Sequence, residues 1–185
     1  MVDARAVASL VRSFDDPADG QAMKSAELIL DLIERTPAPF SREQFTPGHI
    51  TCTGLVLAPD RELLLLVHHR RLDRWLLPGG HVEPDDATVA DAARREVVEE
   101  TGALLAPESL FVGTDVHGIP GKGREPYHLH HDLLFHFRAL GDGLSLSEEA
   151  RDVIWCAPAR FDQFQLPGNV RRAYRRVRPD WKPDV

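Results

Sequence analysis

Residues 79–103 read GGHVEPDDATVADAARREVVEETGA, and the run Arg95-Glu96-Val97-Val98-Glu99-Glu100-Thr101-Gly102 inside them decides how the rest of the chain is understood. On a helix that advances about 100° per residue, Glu96, Glu99 and Glu100 lie on one face, while Ala90, Ala93 and Val97 group on another. One side is built to pack and the other to bind. Three like charges at this spacing repel by a few tenths of a kcal/mol per pair. Crowded into the last turn before Gly102, they also oppose the helix dipole, which favours cations there. A compensating cation explains the placement, and hard oxygen donors packed this closely suit Mg²⁺ or Mn²⁺. The competing explanation is an acidic helix end facing solvent. The helix is predicted from about Ala87 to Thr101, with Gly102 as its stop.

Upstream, Val7, Leu10, Val11 and Phe14 follow helical spacing, as do Met23, Ala26, Leu30 and Ile33, so two helices open the chain. Pro37 and Pro39 in TPAPF end the second one. HITCTGLVL, residues 49–57, and ELLLLVHH, residues 62–69, flank a Pro59-Asp60-Arg61 turn and predict a hairpin whose second strand is buried. A polar RRLDR loop and WLLPGG then lead into the acidic helix. Downstream, strands are expected at residues 109–118, 127–140 and 152–157, then a short helical piece near Phe161 and a last helix from about Gly168. Strands and helices mix without regular βαβ alternation, which indicates an α+β fold with a mixed sheet.

The chain of 185 residues carries 22 basic and 29 acidic side chains, a formal charge of −7, so long-range attraction to a nucleic acid polymer is not expected. Its longest strongly apolar run, Leu63–Val67, is too short to cross a bilayer. No export signal is recognisable at the N-terminus, and two cysteines, Cys52 and Cys156, do not make a secreted disulfide scaffold; a cytoplasmic setting is expected.

The acidic helix and its approach resemble the Nudix hydrolase family, whose box is G-x5-E-x7-R-E-U-x-E-E-x-G-U with U apolar. REVVEETGA, residues 95–103, matches every specified position, with the small Ala103 at the last, and LPGGHVEP, residues 77–84, resembles the family's lead-in. The first half departs. Counting from Gly80, the sixth residue is Asp86 rather than glutamate, and eight residues instead of seven separate it from Arg95. A one-residue insertion before the helix accounts for both, with Asp86 as N-cap.

The resemblance implies a mixed β-sheet sandwiched between α-helices, with a Nudix domain over residues 41–185 and a helical extension over residues 1–40. It implies Glu96, Glu99, Glu100 and the Gly80 carbonyl as ligands of Mg²⁺, with Mn²⁺ as a substitute. Arg95 would orient a carboxylate, Glu99 would sit at the chemistry, and Glu149 would be a candidate general base from the loop before the last strand, where a solvated turn is the plainer explanation. The reaction implied is attack of water on a phosphorus of a nucleoside diphosphate linked to another moiety. Two other functions stay open: a catalytically silent nucleotide-sensing module, and a prenyl diphosphate isomerase, for which Cys52 would have to be reactive rather than a small buried hydrophobe.

Outside the box, His128, His130, Asp132 and His136 alternate onto one strand face. His-x-His spacing suits zinc, but no neighbouring cysteine or histidine in the sequence completes a set, and a polar face bordering a substrate cleft is the simpler reading. His81 is a candidate phosphate or metal neighbour, and His130, Trp75 and Tyr127 are candidate substrate contacts, the last two by stacking on a base. In the final helix Val170, Tyr174, Val177 and Trp181 form an apolar stripe, and the five arginines between 171 and 178 are expected on solvated faces rather than on phosphates. The apolar stripes of the first two helices need cover, either from a second copy in a homodimer or from the chain's own domain.

Overall fold

The computed structural model describes residues 1–60, 62–148 and 150–181. Strand β1, Gly48–Leu57, is buried along almost its whole length because both of its faces are covered. It runs parallel to β6, His128–Arg138, in unbroken register from Gly48↔Leu129 to Leu57↔Arg138. β5, Leu110–Ile119, adds to the far edge of β6 in antiparallel sense. The expected hairpin into β2, Leu64–His69, forms, but the two strands pair only at Leu57↔Leu64 before splaying apart.

That splay exposes the edge of β1 to β4, Gly79–His81, which pairs with Thr51, Cys52 and Thr53. β2 instead pairs with β3, Arg74–Leu76, on one edge and β7, Ala150–Cys156, on the other. β3 and β4 lie in and just after the stretch RRLDR-WLLPGG, where the sequence predicts no strand. Three residues are too few to show an alternation, and both strands form because longer strands offer them an edge.

Alternation along the sheet feeds two cores. Ile50, Cys52, Val56, Leu133, Phe135 and Phe137 face one side, and Leu55, Leu57, Leu64, Leu66 and Leu134 face the other. The first side is covered by α1, Ala4–Arg12, α2, Gly20–Arg35, and α3, Val89–Thr101. The second is closed by Phe161, Val170, Ala173 and Tyr174, the last three from α4, Gly168–Val177. The mixed sheet with helices on both faces is the architecture expected.

Helix α3 starts at Val89, two residues later than expected, because Thr88 and not Asp86 caps it. The Thr88 hydroxyl oxygen accepts the Asp91 N–H at 3.1 Å and donates to the Asp91 carboxylate at 2.8 Å. Asp86 is engaged elsewhere. Gly102, at φ 65°, ends the helix as expected. α3 lies so close to β1 that a Cβ on Gly54 would overlap Val97 Cγ2, which fixes the depth at which the acidic face stands.

The apolar stripes of α1 and α2 pack on the chain's own sheet: Val7, Val11, Ile29 and Leu32 are buried in the first core. The unmet surface that suggested a homodimer is therefore covered internally. Two of the α4 arginines are also not solvated as expected. Arg172 donates to Asp19 at 2.7 Å, and Arg176 donates to Asp16 at 2.6 Å, to Asp19, and to the Val112 carbonyl at 3.0 Å. Asp19 caps α2 through the Ala22 N–H at 3.1 Å, so one buried carboxylate joins α2 to α4, from opposite ends of the sequence. Burial by itself would raise the Asp19 pKa; the Ala22 N–H and the two guanidiniums more than offset it and hold the carboxyl below its ordinary value.

Asp19→Asn, which keeps a good N-cap but removes the charge, should therefore lower stability by about 2 kcal/mol in urea unfolding at neutral pH. Asp31→Asn, which breaks only the exposed Asp31–Arg35 pair, should cost under about 0.5 kcal/mol. Because the folded-state pKa of Asp19 is depressed, its ionic contribution is present above the unfolded-state value and lost as the pH falls through the folded-state value. The gap between wild type and Asp19→Asn should therefore close in acid. A gap that stays constant into acid would assign the effect to packing.

Candidate active site

Arg95 is the centre of the acidic face. Its guanidinium donates to both Asp86 oxygens at 3.1 and 3.0 Å, to Glu96 at 2.9 Å, to Glu99 at 3.0 Å and to the His81 carbonyl at 2.8 Å. The Asp86 contact is bidentate, the strongest geometry open to a carboxylate and an arginine. Asp86 is only 7% exposed, and its turn is closed by the Glu83 N–H on its carboxylate at 2.8 Å. Burial raises the Asp86 pKa, but Arg95 and the Glu83 N–H prevail and hold it below the ordinary carboxylate range, while the same contact raises that of Arg95. Asp86 closes the turn from Glu83 and from there reaches Arg95.

β4 runs along this face. Glu100, 7% exposed, accepts the Gly79 N–H at 3.1 Å. A Cβ on Gly80 would stand 2.7 Å from the Glu96 carboxylate, so glycine is what lets that carboxylate meet the strand. Glu99 is the outermost of the three, its side chain 58% exposed. Val97 and Ala93 are fully buried on the opposite side, dividing α3 as its sequence indicates. With Arg95 holding Glu96 and Glu99 and Gly79 holding Glu100, the three carboxylates share an edge but do not form a closed ligand set. Among the described residues, the group of three ligand atoms lying within 4.8 Å of one another is formed by His49, His81 and His130.

Those histidines occupy the other face of the sheet. Register places His49 opposite His130 and His130 opposite His117, while His81 projects from β4 beside them. Ring centroids of His49, His81 and His130 stand 5.0 to 5.5 Å apart. Burial, reinforced by the neighbouring rings, pushes His130 down to about 2 and His81 to about 4 and also lowers His49, so these imidazoles are neutral near pH 7. His117 differs, raised by its 2.9 Å hydrogen bond with Asp115. Sequence reasoning named His81 and His130 but missed His49 and His117, which only the non-local register brings in.

The other candidates are dispersed. Trp75 stacks on His68 at 5.0 Å and 13° and meets Phe164 edge-on, so its ring is engaged in packing. Tyr127 is 65% exposed, with its hydroxyl over Gly118, and makes no ring contact with Trp75. Glu149 lies outside the described residues. Cys52 is fully buried in the core between β1 and α3, and burial pushes its thiol well above the ordinary value, which leaves a prenyl isomerase without its reactive cysteine.

The NUDIX domain family profile matches residues 48–180, beginning at the first residue of β1. A Bacillus subtilis (strain 168) protein named "Putative 8-oxo-dGTP diphosphatase" is 30% identical over 118 residues, 64% of this chain and 73% of that protein. Among solved structures, a MutT protein from Methanosarcina mazei Go1 aligns with TM-score 0.53 and 25% identity over 72% of this chain and 95% of its own. The NUDIX domain of Shewanella oneidensis NrtR, solved with ADP ribose, aligns with TM-score 0.54 and 17% identity over 71% of this chain and 86% of its own. A family match over most of the sequence, on a mixed sheet that carries the acidic helix against a Gly-Gly strand, means that the chain belongs to the NUDIX family, as a pyrophosphohydrolase of the Nudix type.

Proposed function

We propose that the chain is a Mg²⁺-dependent hydrolase that cleaves the phosphoanhydride of a nucleoside diphosphate linked to another moiety, at the α3–β4 face. The observation that carries this reading is the Arg95 network, which gathers Asp86, Glu96 and Glu99 around one guanidinium while Glu100 binds the strand of Gly79 and Gly80. The donor chemistry fits a hard divalent cation: carboxylate oxygens crowd one edge, and at Gly80 the absent Cβ leaves the Glu96 carboxylate beside the backbone. Glu96, Glu99, Glu100 and the Gly80 carbonyl would hold the ion, with Mn²⁺ able to replace Mg²⁺. When bound, Mg²⁺ supplies phosphate neutralisation and a more acidic bound water.

This chain's own residues then have separate tasks. Arg95 positions Glu96 and Glu99 through hydrogen bonds, and Asp86 in turn fixes Arg95. Glu99, the most exposed carboxylate, is the one best able to reach substrate-side water. The open depression along α3 is lined by Asp85, Asp86, Asp91, Arg94, Arg95 and Glu99, so an anionic phosphate entering there needs a cation. Glu149 stays the proposed general base. Tyr127, exposed with its hydroxyl over Gly118, stays the candidate stacking surface for a base, and His81 and His130 stay candidate substrate contacts. Support for a nucleotide substrate comes from the diphosphatase named in Bacillus subtilis.

Across a panel of nucleoside triphosphates, nucleoside diphosphate sugars and dinucleoside polyphosphates, product release should require Mg²⁺. Glu99→Gln and Glu100→Gln should each lower kcat by at least about 100-fold, roughly 3 kcal/mol of transition-state stabilisation, with unchanged unfolding midpoints. Mg²⁺ binding without cleavage of anything in the panel would favour the sensing module. Gly80→Ala should weaken Mg²⁺ by about 10- to 100-fold, because its methyl displaces Glu96. Glu149→Gln should cut kcat with little change in KM, and unchanged kinetics would remove Glu149 from the mechanism.

A further inference from the structure

We propose that the chain carries a second cation site, for a transition metal of the Zn²⁺ class, formed by the imidazoles of His49, His81 and His130 on the sheet face opposite the acidic helix. The three residues come from β1, β4 and β6, and a ligand atom of each lies within 4.8 Å of the other two. Tetrahedral zinc with Zn–N of about 2.0–2.1 Å needs its nitrogens about 3.3 Å apart, a closure of order 1 Å that side-chain torsions supply. The donors are all nitrogen, the set that imidazole-binding metals select and that Mg²⁺ does not.

His49 provides an independent observation. It is fully buried, its Nδ1 donates to the Gln44 carbonyl at 3.0 Å, and its Nε2 is buried with no hydrogen-bond partner among the described residues. With Nδ1 carrying the proton, Nε2 presents a lone pair into the cluster. Ligating histidines characteristically show this pattern, one ring nitrogen tied to a backbone carbonyl and the other free for the metal. A buried acceptor left unmatched is destabilising, and a metal bond would remove that cost. His128 stands behind the triad, its Nδ1 at 2.9 Å from the Pro126 carbonyl and its Nε2 buried 3.8 Å from the Glu125 carboxylate with no hydrogen-bond partner among the described residues. Three protein ligands leave a fourth position for an exogenous one, as in zinc sites that keep an open coordination position. A metal here would tie β4, whose Gly79 and Gly80 meet Glu100 and Glu96, to the central pair β1 and β6.

The site is separable from the carboxylates by experiment. The protein carrying both Glu99→Gln and Glu100→Gln, stripped with chelator, is titrated with Zn²⁺ by calorimetry and then loaded with Co²⁺ for its visible spectrum. The proposal expects one equivalent of Zn²⁺ per chain in this background, a rise in unfolding temperature, and a Co²⁺ spectrum of nitrogen ligation. Adding His81→Gln or His130→Gln, both at partly exposed positions, should weaken Zn²⁺ by more than about 100-fold while circular dichroism stays that of the folded protein. No stoichiometric uptake, an oxygen-only Co²⁺ spectrum, or Zn²⁺ affinity unchanged in both histidine variants would overturn it. None of these outcomes depends on hydrolysis, so failure of the activity assay leaves this test intact.

Discussion

The parallel pairing of β1 with β6 is the constraint on which the rest of the molecule depends. Parallel neighbours cannot be joined by a tight turn, so their partners must come from other parts of the chain, and both of their faces must be covered. Here helices cover one face along its length, and α4 covers part of the other. The part of that face beyond α4 is where Thr51 and Thr53 donate to the buried Asp132 at 3.0 and 2.9 Å and where His49 meets His130. Because β2 diverges from β1 after a single pair, β1 keeps an edge for β4. β4 turns Gly80 toward α3 and His81 away from it, while its Gly79 N–H reaches Glu100.

Charge balance at α3 follows from this placement. Asp86, Glu96, Glu99 and Glu100 bring four negative charges to the neighbourhood of one guanidinium, a surplus of 4 − 1 = 3. Arg95 meets the three it can reach, and the Gly79 N–H takes the fourth. The helix pays for this in dipole energy and like-charge repulsion, since Glu96, Glu99 and Glu100 sit in its last two turns. Such a surplus beside a glycine strand is what a cation and a polyphosphate would jointly neutralise, and Asp86 fixes the acidic edge by holding Arg95.

Local physics made much of this readable. The 3.6-residue period gave α1, α2 and α3, the αL glycine gave the end of α3, and the apolar, β-branched runs gave five of the strands. The acidic face and the arginine that organises it were visible because both belong to one helix. Contacts across long sequence separations were not visible. His49 and His130 are 81 positions apart and meet only through the register of β1 with β6. Arg172 and Asp19 are 153 apart, and nothing in the periodicity of α4 distinguishes an arginine that meets a buried carboxylate from one in water. Asp86 misled for a different reason: it is a good cap by type, but an arginine offering two parallel bonds is a better partner than a helix N–H, and Thr88 was free for the cap.

The two faces of β4 show how one short strand can serve two chemistries. Successive side chains on a strand point to opposite sides, so Gly80 and His81, adjacent in sequence, address different compartments. On one side, the missing side chain admits hard carboxylate oxygens. On the other, an imidazole joins neutral rings whose burial keeps them unprotonated. Hard oxygens favour Mg²⁺ and neutral nitrogens favour zinc-like ions, so the two donor sets differ in the class of cation they suit. The two sides share one piece of backbone: the His81 carbonyl accepts from Arg95 at 2.8 Å, and the same guanidinium holds Glu96 and Glu99.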